Sequence, residues 1–239
     1  MKELQKNLLA LAVTALVSSA HATPINISWD GTGNPTTLDS NGDTVSDWVV
    51  RNDGPYTGTS AGGVWQGGQF LDTRPLFKFD SDFNVDMKWR SDGANNWDAL
   101  FWVNIDRLPT AWSAVYMFLK DVGASQTLEV YGKAQPGDGG TLLKTYTGLA
   151  DAFINTRFAF NPANNLLTVT IDGTAQTPFN YLSGTPNGNA DAFATIGGGK
   201  MRLDSYKIPG ATQSVPDGGM TIALFSLGLL GLGALRRKL

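Results

Sequence analysis

Apolar and polar residues alternate with a period of two through most of the middle of the chain. Phe83, Val85, Met87 and Trp89 share one side of an extended segment while Asn84, Asp86, Lys88 and Arg90 take the other, which predicts a half-buried β-strand. Ala99, Phe101, Val103 and Ile105 repeat the pattern, with Trp102, Asn104 and Asp106 opposite. The run from Trp112 to Leu119 is apolar on both sides and predicts a strand covered on both faces. Further strands are expected at 128–131, 141–147, 156–160, 166–171 and 202–208. Turn clusters separate them, such as Ser91-Asp92-Gly93, Pro136-Gly137-Asp138-Gly139 and Asn161-Pro162-Ala163-Asn164-Asn165. No amphipathic helix is expected between residues 22 and 220, so the reading is an all-β sandwich.

The two ends break this pattern. Lys2 and Lys6 precede an apolar stretch from Leu8 to Val17, and Ala20-His21-Ala22 has the small-x-small form of a cleavage site. Residues 1–22 are therefore expected to be a signal peptide, with Thr23 as the first mature residue. At the other end an apolar run, Met220 to Leu235, is followed by Arg236, Arg237 and Lys238. Sixteen residues make roughly 24 Å of helix, short of the ~30 Å hydrocarbon core, and snorkelling of the terminal cations covers part of the difference. The expected organisation is a signal peptide at 1–22, a β-sandwich domain at 23–208, a linker and sorting motif at 209–219, and a single transmembrane helix with a basic tail at 220–239.

The segment immediately before that helix reads Val215-Pro216-Asp217-Gly218-Gly219. This order of short Pro/Gly motif, apolar helix and basic stop (Arg236, Arg237, Lys238) resembles the PEP-CTERM class of sorting signals, in its VPDSG-CTERM variant. The resemblance covers 215–239. It implies recognition by an exosortase, a membrane-embedded transpeptidase-like enzyme of Gram-negative bacteria that make exopolysaccharide. It also implies passage through the inner membrane, a transient membrane anchor, and delivery to the cell surface or extracellular matrix.

Composition narrows the chemistry of what is delivered. Residues 23–214 hold 13 Lys and Arg against 19 Asp and Glu, a formal net charge of −6, which disfavours a nucleic-acid partner. The chain has no cysteine, and its one histidine, His21, lies in the signal peptide. Catalysis by Ser-His-Asp or Cys-His, and zinc sites built on His and Cys, therefore lack their parts in the mature domain. Glu129 is the one glutamate between Thr23 and Ser214. Most of the eighteen aspartates sit beside Gly, Asn or Ser, as turn formers do.

The stretch Phe153-Ile-Asn-Thr-Arg-Phe158-Ala-Phe160-Asn161-Pro162, then Leu166 to Ile171, then Asp172-Gly173, resembles the central hairpin of concanavalin-A-like and laminin-G-like jelly-rolls. Ile196 to Ile208 looks like the closing strand of the same fold. The likeness spans roughly 83–208 and implies a lectin-like jelly-roll β-sandwich. Laminarinase-type glycosidases of this fold carry a Glu-x-Asp-x-x-Glu strand, which this chain lacks, so a non-catalytic domain is expected.

Two candidate binding features follow. Asp39, Asn41, Asp43 and Asp47 place oxygen donors at relative positions 1, 3, 5 and 9, a spacing that suits Ca²⁺. Thr44 stands where such loops have a sharp-turn glycine, and Val50 where an EF-hand has its bidentate glutamate, so an Asx-rich loop without metal is the competing reading. The second feature is the aromatic set Trp89, Trp97, Trp102, Trp112, Tyr116 and Tyr131. Exposed rings stack on the apolar face of a pyranose, whereas buried ones fill a core. Trp89 and Trp112 are expected in the core; Trp97 and Trp102 are the candidates for ligand contact. Three functions are weighed: binding of carbohydrate or exopolysaccharide, a structural envelope role without a small ligand, and a polysaccharide-active enzyme using aspartate alone.

Overall fold

The computed structural model describes residues 24–30, 34–40, 44–50, 63–64, 70–73, 77–78, 82–93, 99–104, 114–133, 140–181, 191–197 and 200–212. Pro24–Gln213 is one compact unit. Its strands are β1 (Pro24–Trp29), β2 (Trp48–Val50), β3 (Gly63–Val64), β4 (Phe70–Thr73), β5 (Phe77–Lys78), β6 (Phe83–Ser91), β7 (Leu100–Asn104) and β8 (Ala114–Asp121). They continue as β9 (Ser125–Lys133), β10 (Thr141–Ala150), β11 (Ile154–Asn161), β12 (Leu166–Ile171), β13 (Thr174–Ala175), β14 (Phe179–Asn180), β15 (Asp191–Gly197) and β16 (Met201–Thr212). A 3₁₀ turn, Pro35–Thr37, is capped by Asn34, whose Oδ1 accepts the Thr36 N–H at 2.9 Å.

These strands form two antiparallel sheets, the sandwich expected from the alternation and the jelly-roll that the resemblance implies. Sheet 1 runs β1-β16-β6-β11-β12-β13, with β3 beside β16 and β14 beside β12; sheet 2 runs β10-β9-β8-β7-β15-β4-β2, with β5 beside β15. The periodicity of β6 is realised in full, with every second residue from Phe83 to Ser91 buried. Ala99, Phe101 and Val103 are fully buried on the inner side of sheet 2. The two inner faces meet in one core in which Phe101 stacks on Phe158 at 5.4 Å and meets Tyr206 edge-on at 6.2 Å, joining sheet 2 to sheet 1. Trp89 is fully buried, as expected, and its indole N–H donates to Thr156 Oγ1 at 3.0 Å.

Local turn chemistry closes the hairpins. Asp172 and Gly173 both have positive φ, 46° and 83°, and connect β12 to β13 with Ile171 opposite Thr174, as a two-residue turn of the hairpin type requires. At the two ends of this unit β1 lies beside β16, with Pro24 opposite Thr212. Strand pairing thus continues past Ile208 into the segment expected to be linker, because β1 offers the last residues of β16 a hydrogen-bonding edge. The expected signal peptide (1–22), the sorting motif and the apolar tail lie outside the described residues. Among the described residues no helix is long and apolar enough to cross a membrane.

Candidate functional site

The outer face of sheet 2 concentrates the exposed chemistry of the sandwich. The strand period that turns Phe101 and Val103 inward turns Leu100 and Trp102 outward, and in β8 it turns Tyr116 and Phe118 to the same side. Register then sets one row of side chains across six strands: Tyr131 on β9, Tyr116 on β8, Trp102 on β7, Thr195 on β15, Asp72 on β4 and Val49 on β2. Beside it runs a second row, Thr145, Glu129, Phe118, Leu100, Gly197 and Phe70. The result is an aromatic cluster separate from the core. Trp102 lies 5.1 Å from Phe70 and 5.7 Å from Tyr116, and Phe118 meets Tyr131 edge-on at 5.3 Å.

Within this cluster the rings are not equally accessible. Leu100, Trp102 and Phe118 are nearly covered, Trp102 being 5% exposed, while Phe70, Tyr116 and Tyr131 stay partly exposed around them. Trp102 therefore stands on the outer face, as its alternation implied, and backs the ring of Tyr116. Trp97 and Trp112 lie outside the described residues.

One polar group is fixed at the edge of the cluster. Glu129 Oε2 accepts hydrogen bonds from Lys120 Nζ and from the Tyr131 hydroxyl, each at 2.6 Å. The Lys120 and Glu129 side chains are each only 17% exposed, so the pair is held rather than solvated. Burial alone would push the Glu129 carboxyl up, but the hydrogen bonds from Lys120 and Tyr131 and the ammonium charge outweigh it and hold it below its ordinary value. The same hydrogen bond, with burial, pushes the Tyr131 phenol up to about 12. At neutral pH Glu129 is therefore a carboxylate and Tyr131 a neutral phenol. Sequence reasoning marked Glu129 and Tyr131 separately. Their shared face was readable from the i, i+2 spacing, but the partnership with Lys120 depends on the β8–β9 register, which no local signal reveals.

Asp72, a second carboxylate of this outer face, accepts a hydrogen bond from Thr195 Oγ1 at 2.6 Å. It lies four strands from Glu129, roughly 19 Å at ~4.8 Å per strand. A glycosidase pair stands roughly 5–9.5 Å apart.

A groove of about 700 Å³ crosses the outer face of sheet 1, but it offers different chemistry. Three of its charged side chains are paired: Arg157 holds Asp86 through two bonds of 2.6 and 3.1 Å, and Lys88 meets Asp204 at 2.9 Å. Trp29 and Tyr206 at its floor are 3% and 1% exposed, so no ring is open for stacking.

Of the expected Ca²⁺ ligands, Asn41 and Asp43 lie outside the described residues. Asp39 Oδ2 accepts the Thr44 N–H at 2.8 Å, and Asp47 Oδ2 accepts the Ser40 N–H at 2.6 Å. These are bonds of an Asx-type loop closing on its own backbone. Thr44 has φ 68°, so it occupies the left-handed conformation that a glycine would take at this turn. Among the described residues no group of three or more acidic or histidine side chains converges on a metal position.

Comparison with known proteins agrees with both the tail and the fold. The VPDSG-CTERM motif matches residues 214–239, so the chain carries a C-terminal sorting signal of the PEP-CTERM-like type. No curated protein matches the chain. Among solved structures, the potassium-bound carbohydrate recognition domain of Emp46p is similar at 12% identity over 75% of this chain and 96% of that one, with a TM-score of 0.51. The Crh5 transglycosylase in complex with NAG is similar at 14% identity over 83% of this chain and 90% of that one, also with a TM-score of 0.51. At such identities the likeness is one of fold.

Proposed function

We propose that this is an exported surface or matrix protein whose sandwich binds carbohydrate, without transforming it, on the outer aromatic face of sheet 2. The observation that carries this reading is the ladder Tyr131, Tyr116, Trp102 across three adjacent strands, with the fixed Glu129–Lys120 pair beside it. Flat rings backed by other rings are stacking platforms, and a few well-placed polar groups orient a ligand among them. The similar solved structures, one a carbohydrate recognition domain and the other a transglycosylase in complex with NAG, add support from the fold. A non-catalytic role rests on the wide separation of Glu129 from Asp72 and on the lowered carboxyl of Glu129, which is suited to accepting hydrogen bonds rather than to delivering a proton.

In this reading residues 1–22 direct export, the helix at 220–235 holds the chain in the inner membrane, and an exosortase-type enzyme processes it near Val215–Gly219. Exopolysaccharide is the natural ligand class for such a destination. The Ca²⁺ suggested by the 39–47 spacing is no part of the proposal, since the described carboxylates already serve the loop backbone.

The test is polysaccharide binding by the mature domain. Tyr116→Ala is expected to weaken it at least tenfold, and Trp97→Ala tests the candidate that the sequence alone supplies. Failure of the unmodified domain to bind any polysaccharide at millimolar sugar would leave a structural envelope role in its place. Mass spectrometry of the mature C-terminus tests the processing step.

A further inference from the structure

We infer that Lys120 and Glu129 form a clamp for a pair of adjacent hydroxyls, and that this clamp makes the aromatic face select uncharged polysaccharide over polymers of uronic acids. The inference rests on the carbohydrate-binding reading above and names the ligand chemistry of that site.

Glu129 Oε2 is fully used, accepting from both Lys120 Nζ and the Tyr131 hydroxyl. Oε1 remains as the acceptor, and the Lys120 ammonium keeps two of its three donors. One carboxylate oxygen and an ammonium held 2.6 Å from its partner present an acceptor next to a donor. Adjacent hydroxyls of a pyranose match that arrangement, because one donates to Oε1 while its neighbour accepts from Nζ.

Placement and charge favour the same ligand. Glu129 lies opposite Phe118 on β8 and two residues from Tyr131, so a ring stacked on Tyr131 or Tyr116 brings its edge to the clamp. The pair is nearly covered, so its geometry is set before a ligand arrives and little ordering accompanies binding. Its charges cancel, and Tyr131 is neutral at physiological pH. A uronate carboxylate at Oε1 would meet a like charge, and at Nζ it would compete with Glu129 for the one ammonium, whereas a pair of hydroxyls satisfies both groups.

The experiment measures affinity of the mature domain for laminarin, dextran and galactomannan, each beside its O-methylated counterpart, with alginate as the anionic polymer. The expected result is that at least one neutral polymer binds tenfold or more tightly than its methylated form and than alginate. Glu129→Ala and Lys120→Met should remove that tenfold preference while binding of the methylated polymer stays as it was. Glu129→Gln, which keeps an acceptor but not its charge, should fall between. Equal loss on native and methylated polymer in the variants means that the pair only shapes the site, and overturns the clamp. So does a preference for alginate. Wild-type affinity in Glu129→Ala together with loss in Tyr116→Ala overturns the clamp but leaves carbohydrate binding standing. Absence of binding to every polymer, or no effect of Tyr116→Ala, overturns both.

Discussion

Gln126 Oε1 accepts the backbone N–H of Ser91 at 2.8 Å, although Gln126 belongs to β9 of sheet 2 and Ser91 ends β6 of sheet 1. Its Nε2 donates to the carbonyls of Ala150 and Ala152, each at 2.6 Å, so one fully buried amide ties the two sheets to the end of β10. Gln126→Leu would fill similar space but leave the buried Ser91 N–H without a partner and release two carbonyls. The expected cost is about 3 kcal/mol, since an unsatisfied buried donor costs ~1–3 kcal/mol and each lost bond about 1. Urea unfolding measures it, and a loss under about 0.5 kcal/mol, the range of an ordinary surface change, would show that water replaces the amide.

Gly132 is needed for space rather than for turning. A Cβ there would sit 2.6 Å from the backbone oxygen of Tyr181 and 3.0 Å from Leu143 Cδ1. The Tyr181 backbone cannot easily withdraw, because its N–H donates to Asn165 O at 3.1 Å and its ring is fully buried, edge-on to Phe160 at 5.6 Å. Gly132→Ala is therefore expected to destabilise by about 1–3 kcal/mol, as overpacking does. A neutral result in equilibrium unfolding would mean that the segment after β14 yields.

Much of the fold was legible because alternation reports burial directly. β6, the inner residues of β7, and the strands expected at 156–160 and 166–171 follow from it, the former being longer in the fold at Ile154–Asn161. Central β15 was not read as a strand, since Asp191-Ala-Phe-Ala-Thr-Ile-Gly mixes small and turn-type residues and gains its place only by pairing with β7 and β4. β10 was read as a strand, but its outward side and its two register shifts against β9 were not. The same limit applies to the site. Tyr116, Tyr131 and Glu129 were visible as residues, whereas their common face with Lys120 and Phe70 is a product of register across strands distant in sequence.

The 39–47 loop gives a prediction about metal. Because Asp39 Oδ2 already holds the Thr44 N–H, Asp39→Ala should cost about 1 kcal/mol with no Ca²⁺ present, the usual size of a lost side-chain cap. Removing divalent cations with EDTA should leave the melting temperature unchanged. A rise in melting temperature on adding Ca²⁺ that disappears in Asp39→Ala would reverse this and establish a metal loop. Thr44→Gly offers a separate check. At φ 68° a β-branched residue is strained, so glycine is expected to stabilise by about 1 kcal/mol.

Stability should depend on pH at both extremes, with opposite signs of cause. Glu129 is held below its ordinary 4.5, so the unfolded chain takes up the proton first as pH falls. Its contribution is complete above 4.5 and is lost as pH drops through the lower folded value. Tyr131 and Tyr146 are both pushed up from 10.0 to about 12, the former mainly by its bond to Glu129 and the latter by burial. The folded chain therefore keeps those protons longer; their contribution is complete below 10 and is lost between pH 10 and about 12. Unfolding midpoints followed across both windows should show Tyr146→Phe flattening only the alkaline limb, whereas Glu129→Gln flattens the acid limb and, by removing the carboxylate that raises Tyr131, lessens the alkaline one as well. Tyr131→Phe should act on both, because it removes one phenol titration and also one of the bonds that holds the Glu129 carboxyl down. An acid limb unchanged in Tyr131→Phe would mean that Lys120 alone sets the Glu129 ionisation.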